Sequence, residues 1–283
     1  MSTAWPPAIV GTRPFMHDPA TARSFLFVPA TRPERISKAL ASAADAVIVD
    51  LEDAVAPADK DAARTGLLAA LAADARVFVR INSVGTPWHD ADRACLDHPG
   101  IAGVMLAKAE AVGDVAQMPK PVIPLIETAR GLATARDIAR VPGVVRLAFG
   151  TIDFMLDLGL PEDADAMAIY RAELALASRL AGIAPVIDGV TPAIDDVDRI
   201  VAETRRALAF GFGARLCIHP AQIGPVHDAM RPDDEAVRQA RRIVEAAEAA
   251  GGGAIRLDGA MLDRPLVAQA EALLARAGDD RQR

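Results

Sequence analysis

Four segments of this chain end an apolar run with charged residues whose types suit metal-dependent chemistry on an anionic substrate. They are VIVDLEDAV with Glu52 and Asp53, VFVRIN with Arg80, VIPLIETARG with Glu127, and LAFGTIDF with Asp153. Strands buried on both faces have no reason to end in charge unless these ends meet at a site. Carboxylates suit a hard divalent cation such as Mg²⁺, and an arginine suits an anionic substrate. The segments therefore predict a magnesium and anion site.

The elements that would position these residues are short β-rich runs separated by helical stretches. The predicted strands cover residues 24–29, 46–53, 76–82, 103–108, 122–128, 145–154, 184–190 and 215–220. Segments rich in Ala, Leu, Arg and Glu, which favour helix, lie between them. Strand–helix alternation repeated eight times indicates the α/β class and a (β/α)₈ TIM barrel. A doubly wound open sheet is the alternative, but no GxGxxG follows the first strand.

A barrel of parallel strands gives the charged segments a common location. All strands of such a barrel point their carboxyl ends to one rim, so the charged ends are expected to converge there. Beyond residue 220 the alternation stops, and helices are predicted over 233–250 and 266–277. We therefore expect a catalytic barrel domain over 1–230 and a C-terminal helical extension over 231–283. The extension would cover the barrel mouth or pack on a neighbouring subunit.

Composition and charge narrow the class of protein. The 283 residues carry a net charge of −7 without a basic tract, which argues against a nucleic-acid partner. Two cysteines are too few for a disulfide framework. Residues 1–18 contain no long apolar stretch, so we expect neither a signal peptide nor a membrane segment. The expectation is a cytoplasmic protein without a membrane partner.

The charged residues each have a structural interpretation beside the functional one. Glu127 and Asp153 could be ordinary acids at helix N-termini. On adjacent strands, however, they could together give two oxygen ligands to one Mg²⁺. Glu52 and Asp53 could bind substrate, hold metal-bound water, or form an acidic surface turn. Arg80, inside an apolar run, would be costly to bury unless an anion pairs with it.

Two lysines near these segments also have competing interpretations. Lys60 lies on a predicted helix, where a solvated charge and a functional role are equally supported. Lys108 ends the fourth predicted strand, as a Schiff-base lysine would, but a pairing with nearby carboxylates is favoured. No Ser/His/Asp order and no GxSxG turn occurs, so the sequence does not suggest acyl hydrolysis through serine.

Several segments carry a resemblance to a known family. They are residues 23–29, 45–55 with Lys60 and Arg64, 79–82, 124–128, 149–153, 211–220 and 261–265. In this order, and over nearly the whole chain, they resemble the citrate lyase beta-subunit-like branch of the HpcH/HpaI aldolase superfamily. The set is specific for this branch but not for one substrate.

The resemblance implies a fold, a cofactor and a reaction. Members of the family are (β/α)₈ barrels that bind Mg²⁺ and cleave or form a carbon–carbon bond beside an acyl thioester. Malyl-, citramalyl- or citryl-CoA would give a 2-oxo acid and an acyl thioester. By motif, Glu127 and Asp153 resemble the metal ligands, and Arg80 resembles the residue that contacts substrate and the developing enolate. Asp263 resembles the catalytic acid/base, which the tail donates across a subunit interface.

The resemblance leaves the substrate carrier and two other functions open. Free-standing members use coenzyme A esters, whereas subunits of complexes take the substrate on an acyl carrier protein. A class II pyruvate-type aldolase acting on free hydroxy-keto acids is a second possibility, against which the tail motif argues. A non-catalytic subunit is a third, and the intact set of Arg80, Glu127, Asp153 and Asp263 disfavours it. The donated tail implies a homo-oligomer, a trimer or a hexamer.

Overall fold

The structure is a computed structural model that describes residues 18–162, 165–249, 255–257 and 260–282. The chain divides into two compact units, Met1–Ala229 and Met230–Arg283. No helix in the described ranges has both the length and the apolar character needed to cross a membrane.

The first unit is a closed barrel of eight parallel strands, which confirms the predicted TIM barrel. The strands are β1 Ser24–Pro29, β2 Ala46–Asp50, β3 Val77–Ile81, β4 Ile101–Leu106, β5 Val122–Ile126, β6 Arg146–Phe149, β7 Ala184–Asp188 and β8 Ala214–Cys217. Each strand pairs with the next along the chain, and β8 pairs with β1 to close the barrel. All eight predicted strands are present. β1 has its predicted bounds, and each of the other seven ends one to five residues earlier than predicted.

Helices follow the strands in the order that a barrel requires. They are α1 Ile36–Leu40, α2 Lys60–Ala70, α3 His89–Cys95, α4 Val112–Ala116, α5 Ala129–Ile138, α6 Thr151–Leu158, α7 Ala168–Ala181, α8 Val197–Ala209 and α9 Ile223–Met230. Short 3-10 helices lie at Pro33–Arg35, Pro57–Asp59, Asp165–Met167 and Pro220–Gln222. In the barrel the sequence pattern predicted helices over 35–44, 58–73, 128–139, 166–181 and 195–210, which correspond to α1, α2, α5, α7 and α8. It did not predict α3, α4, α6 or α9; α3 and α4 are only seven and five residues long.

The barrel interior is filled by apolar side chains, so the barrel is a packed core and not a pore. Phe25 and Phe78 meet edge to face with their ring centroids 6.3 Å apart. Gly103 makes this packing possible, because a Cβ atom at Gly103 would lie 2.2 Å from the Phe78 ring. The core also contains Ile48, Met105 and other fully buried residues of the strands. This rigid base fixes the strand ends that carry the charged residues.

Two strand ends differ from the prediction in ways that affect the site. β2 stops at Asp50, whose carboxylate accepts hydrogen bonds from the backbone N–H of Glu52 and of Ala54 and so turns the chain. β6 stops at Phe149, and the backbone N–H of Phe154 donates to the carbonyl of Gly150 as a helix begins. The prediction of a strand over 145–154 was therefore wrong at its end.

The second unit consists of two helices and a small antiparallel pair of strands. The helices are α10 Asp234–Ala249 and α11 Arg264–Gln282, and the strands are β9 Ile255–Leu257 and β10 Ala260–Leu262. Both helices were predicted, although α11 is longer than the predicted range of 266–277. The sequence analysis did not anticipate the strand pair. Packing of this unit on a neighbouring subunit stays a prediction.

Candidate active site

A cavity of about 570 Å³ lies at the carboxyl ends of the barrel strands. Its polar lining contains four of the residues that the sequence predicted for the site, namely Asp53, Arg80, Glu127 and Asp153, together with Asp50 and Thr151. Phe27, Leu125, Leu216 and Ile218 contribute an apolar wall. The predicted convergence of charged residues 26 to 100 positions apart in the chain is therefore present around one cavity.

Arg80 is held in a fixed orientation by carboxylates from β2 and the turn after it. Its Nε and Nη2 donate to the two Asp50 oxygens at 2.7 and 2.6 Å, and its Nη1 lies 3.1 Å from Glu52 Oε2. The guanidinium also stacks over the Phe27 ring, 4.8 Å from its centroid. Burial lowers the pKa of Arg80, but Asp50 and Glu52 more than offset this and raise it. The guanidinium therefore stays charged and faces the cavity.

Asp50 is a site residue that the sequence analysis missed. It is the last residue of β2 and is paired with Arg80 in the β2–β3 ladder, so the two side chains lie next to each other. In the sequence alone, Asp50 at the end of the run VIVD is not distinguished from the acidic residues Glu52 and Asp53 that follow it. The signal that would have identified Asp50 is the register of two neighbouring strands, in which the last residue of one lies beside the arginine of the next.

Glu52 lies behind Arg80 and connects it to a second cation. Its Oε1 accepts a hydrogen bond from Lys108 Nζ at 2.7 Å, and its Oε2 contacts Arg80 and accepts from the backbone N–H of Asp53 at 3.0 Å. Both carboxylate oxygens are thus occupied. A carboxylate has about four acceptor sites, so these three contacts leave room for another. The direct contact with substrate that the sequence analysis assigned to Glu52 and Asp53 stays a prediction. Asp53 lines the cavity and is exposed.

Lys108 is paired with carboxylates, as the favoured interpretation of the sequence predicted. Burial lowers the pKa of Lys108, but the hydrogen bond to Glu52 and the charge of Glu127 raise it by more, so that the net effect is a raised pKa. The amine is therefore protonated and is not a free nucleophile. Its backbone has a φ of 46°, a left-handed conformation that is uncommon for a lysine. In this conformation the Lys108 N–H donates to Glu127 Oε1 at 2.7 Å.

Glu127 follows β5 directly and is 1% exposed. Burial, and then the Glu52 charge, raise the pKa of Glu127 to about 8, although Lys108 and Arg80 act in the opposite direction. Gly150 leaves space for this carboxylate, because a Cβ atom at Gly150 would lie 2.5 Å from Glu127 Oε2. The space between β5 and β6 is therefore shaped around the Glu127 carboxylate.

Asp153 reaches the cavity from the first turn of α6 and not from the end of a strand. It is partly exposed and lines the cavity together with Glu127. Acidic side chains are common at this position, because the backbone N–H groups at the beginning of a helix favour negative charge. Both acids thus direct oxygen atoms to one cavity, as the sequence analysis expected, although the element that carries Asp153 is a helix.

Lys60 is not a solvated charge, and that interpretation of the sequence was wrong. The side chain is 4% exposed, and its Nζ donates to the carbonyls of Leu51 and Glu52, both at 2.7 Å, and to Asn82 Oδ1 at 2.8 Å. The reason is that Lys60 and Arg64 belong to the buried face of α2 together with Ala63 and Leu67. Lys60 therefore stabilises the turn that follows β2.

Asp263 belongs to the second unit, where it precedes α11 and is exposed. Its Oδ1 accepts a hydrogen bond from the backbone N–H of Leu266 at 3.2 Å, so it acts as the N-cap of the helix. The acid/base role that the resemblance implies for Asp263 stays a prediction.

The donor set at the cavity fits a magnesium ion. The described residues contain no cluster of three or more His, Cys, Asp or Glu side chains arranged to bind a metal, so a site made only of protein ligands is not present among them. A pair of carboxylates is present. The pair of carboxylates formed by Glu127 and Asp153 matches the one or two that Mg²⁺ takes from proteins, with its other positions left for water and substrate. The space beside Gly150 keeps the Glu127 carboxylate free of a clash in this arrangement.

Comparisons with known proteins assign the chain to a family. Residues 23–220 match the model for HpcH/HpaI aldolase/citrate lyase. The chain is 40% identical over 269 residues to a citrate lyase subunit beta-like protein of Mycobacterium tuberculosis, covering 92% of this chain and 97% of that protein. It is 31% identical over 300 residues to an L-malyl-CoA/beta-methylmalyl-CoA lyase of Cereibacter sphaeroides, covering 90% and 94%.

A solved structure agrees with this assignment. The protein CitE from Mycobacterium tuberculosis, in complex with magnesium, acetoacetate and coenzyme A, matches the fold with a TM-score of 0.84. The two chains are 39% identical, and the match covers 92% of this chain and 99% of the other. The similarity thus extends over the barrel and most of the sequence that follows it. This chain therefore belongs to the HpcH/HpaI aldolase/citrate lyase family.

Proposed function

We propose that this protein is a Mg²⁺-dependent carbon–carbon lyase that cleaves, or forms, a 3-hydroxyacyl thioester. The substrate would be a coenzyme A ester such as malyl-, citramalyl- or citryl-CoA, and the products a 2-oxo acid and an acyl thioester. The observation that carries this proposal is that Glu127, Asp153 and the guanidinium of Arg80 line one cavity at the barrel rim. The lyase named for one relative and the ligands bound to another support it.

Glu127 and Asp153 would hold the magnesium ion through carboxylate oxygens. When bound, the ion supplies Lewis acidity that polarises the hydroxyl oxygen of the substrate and the carbonyl oxygen of the 2-oxo acid. Asp53 lies on the same lining and is placed to contact substrate or ordered water. Glu52 acts on the other side of Arg80, where it balances the charges of Arg80 and Lys108.

Two residues of the chain, Arg80 and Asp263, act on the enolate charge and on the α-carbon proton. The substrate hydroxyl loses its proton to solvent, the carbon–carbon bond breaks, and its electron pair remains on the thioester fragment as an enolate. Arg80, held by Asp50 and Glu52, donates to the enolate oxygen and stabilises its charge. Asp263 then delivers a proton to the α-carbon of the thioester. In the direction of synthesis the same groups act in reverse.

The decisive experiment measures release of a 2-oxo acid from malyl-, citramalyl- and citryl-CoA, with and without Mg²⁺. Release that depends on Mg²⁺ would identify the enzyme as a thioester lyase and name its substrate. No release from any of the three would contradict the use of coenzyme A esters. The same assay with carrier-protein-linked substrates would then separate a lyase subunit from a non-catalytic one.

Asp263→Asn is expected to lower kcat by about 100-fold, because removal of a general acid or base typically costs 10²–10⁴-fold. The affinity for Mg²⁺ should not change, since the proposed ligands lie directly after β5 and on α6. A second measurement is the exchange of α-protons of the product thioester with D₂O, which should be lost in the variant. Full turnover in Asp263→Asn would remove the proposed acid/base role.

The matched control is Asp233→Asn in the same unit. Asp233 precedes α10, and its Oδ1 accepts a hydrogen bond from the backbone N–H of Ala236 at 2.7 Å, as Asp263 does at α11. Asparagine is as good an N-cap as aspartate, so neither substitution should destabilise its helix. Asp233→Asn is expected to keep wild-type activity. Equal losses in both variants would indicate an effect of helix capping and not of proton transfer.

The proposed role of Asp263 also implies an oligomer, a trimer or a hexamer, in which one subunit completes the cavity of the next. Mixed oligomers test this directly. Asp263→Asn and Asp153→Asn subunits, each with strongly reduced activity alone, should regain part of the activity when assembled together if the carboxylate comes from a neighbour. No recovery in a confirmed mixed oligomer would mean that Asp263 either acts in the cavity of its own subunit or takes no part in the reaction.

A further inference from the structure

The Lys60 ammonium is saturated by three oxygen acceptors, none of which belongs to a carboxylate. Two are the successive carbonyls of Leu51 and Glu52, and the third is the side-chain oxygen of Asn82, all within 2.8 Å. A protonated lysine has three N–H donors, and a neutral one has only two. All three donors are used here, so the geometry fits the charged form. Burying such a group is costly, and the contacts that compensate for the cost are concentrated on one turn.

The carboxylates that hold Arg80 lie at this turn or directly beside it: Asp50 before it, Glu52 within it, and Asp53 after it, with Asp53 Oδ2 3.5 Å from Arg80 Nη1. Asp50 precedes the turn and accepts the backbone N–H of Glu52 at 2.8 Å while both of its oxygens also hold Arg80. Glu52, whose carbonyl contacts Lys60, directs its carboxylate to Arg80 Nη1. The backbone that Lys60 fixes is therefore the backbone from which the guanidinium is oriented. Lys60 itself does not line the cavity.

A second buried cation, Arg64, belongs to the same network but lies further from the turn. Its Nη1 donates to Asp92 Oδ1 at 2.7 Å, and Asp92 Oδ2 accepts from the Asn82 amide at 2.6 Å. The same amide donates to the carbonyl of Leu51 at 2.9 Å. Arg64 thus reaches the turn only through two intermediate side chains, whereas Lys60 contacts it directly. Both residues are buried cations, but only Lys60 contacts the turn directly. A comparison of variants at the two positions therefore distinguishes support of the turn from the general effect of removing a buried cation.

We propose that Lys60 is a positioning residue for Arg80, which it orients by fixing the turn at residues 51–52. Its consequence for the reaction rests on the proposed function, in which Arg80 stabilises an enolate oxygen. Without the ammonium, the two carbonyls lose their shared donor and the turn relaxes. Asp50 and Glu52 then no longer hold the guanidinium in one orientation. A misplacement of about 1 Å can cost about 100-fold in rate.

Lys60→Met is expected to lower kcat by about 10- to 100-fold with a change in KM of less than about threefold. Mg²⁺ affinity should stay the same, because Glu127 and Asp153 lie on other elements. Arg64→Met is the matched control, because it also removes one buried cation from α2 and should lower Tm in a similar way. Its kcat is expected to stay within about threefold of wild type, so a loss of stability would not explain the difference.

The deciding measurement is independent of activity and follows the Nε–H group of Arg80 by ¹⁵N NMR. This N–H donates to Asp50 at 2.7 Å and should exchange slowly with solvent in the wild-type protein. Its signal is identified by its loss in Arg80→Lys. Exchange should become at least tenfold faster in Lys60→Met and stay unchanged in Arg64→Met. An unchanged signal in Lys60→Met, or equal changes in both variants, would overturn the proposal.

Two other outcomes can be distinguished from a failure of the proposal itself. If Lys60→Met does not fold, Lys60→Gln retains two of the three donors and is measured in the same way, with the same signals deciding the outcome. If the wild-type protein cleaves neither the coenzyme A esters nor the carrier-protein-linked substrates, the proposed function is contradicted. The exchange of the Arg80 N–H would still decide whether Lys60 orients the guanidinium.

Discussion

Replacing Asp153 with Asn is expected to lower kcat/KM for thioester cleavage by at least about 1,000-fold. The reason is that only two carboxylates, Asp153 and Glu127, are proposed to hold the metal, so the substitution removes half of the anionic donors. A metal that acts as a Lewis acid contributes several kcal/mol to transition-state stabilisation, and about 1.4 kcal/mol corresponds to tenfold in rate. Steady-state kinetics across a Mg²⁺ titration, together with calorimetric measurement of Mg²⁺ binding, would check both effects.

The control for this substitution lies one turn further along the same helix. Asp157 is exposed, and its Oδ2 accepts a hydrogen bond from the backbone N–H of Ala129 at 2.8 Å. Asp157→Asn makes the same chemical change on α6 without touching the cavity lining. We expect activity within about twofold of wild type for this variant. If Asp153→Asn kept the wild-type rate and Mg²⁺ affinity, Asp153 would not be a metal ligand.

The sequence predicted the barrel because its strands and helices differ sharply in residue composition: the strands are short apolar runs, and the helices are rich in Ala, Leu, Arg and Glu. Strand β1 was placed over its observed range, Ser24–Pro29, since this run is bounded on both sides by polar residues and a turn. The later strands were extended too far wherever an acidic or apolar segment followed directly. In the run around Gly150, apolar residues continue from β6 into α6, so the pattern alone could not show that the strand ends at Phe149.

The convergence of the charged residues was predictable, whereas the partners of these residues were not. Parallel strands of a barrel place their carboxyl ends at one rim, which brings Arg80 and Glu127 together without knowledge of the register between strands. The pairing of Asp50 with Arg80 depends on the register between β2 and β3. A one-residue shift of a strand turns its side chains to the other face, and no local pattern in these strands fixes that register.

The buried lysine illustrates a signal that was present but easily misread. Lys60, Ala63, Arg64 and Leu67 follow the spacing of one helix face, and all four are buried. Charged residues at two of these positions suggest solvent exposure if each residue is considered alone. Considered together with Ala63 and Leu67, the spacing indicates that both cations face the barrel. The spacing does not identify their partners, which are the turn eight and nine residues before Lys60 and, for Arg64, Asp92, 28 residues further along the chain.

Replacing Arg80 with Lys is expected to lower kcat by about 100- to 1,000-fold while Mg²⁺ binding is retained. Lysine keeps the positive charge between Asp50 and Glu52, but it lacks the planar fork that binds both Asp50 oxygens and the additional N–H groups of a guanidinium. Loss of one donor to a developing oxyanion typically costs 10²–10³-fold in kcat. Single-turnover kinetics with saturating thioester would separate this loss from a change in substrate binding.

Lysine is more informative at this position than an uncharged residue. Arg80→Met would leave Asp50 and Glu52 buried without their shared cation, which typically costs about 3–5 kcal/mol of stability and would confuse the kinetic result. The control is Arg136→Lys on α5, where an exposed arginine makes a comparable bidentate pair with Glu173. This substitution should change stability by less than about 0.5 kcal/mol and leave activity intact. Wild-type kcat in Arg80→Lys would mean that the enolate charge is stabilised by a group other than Arg80.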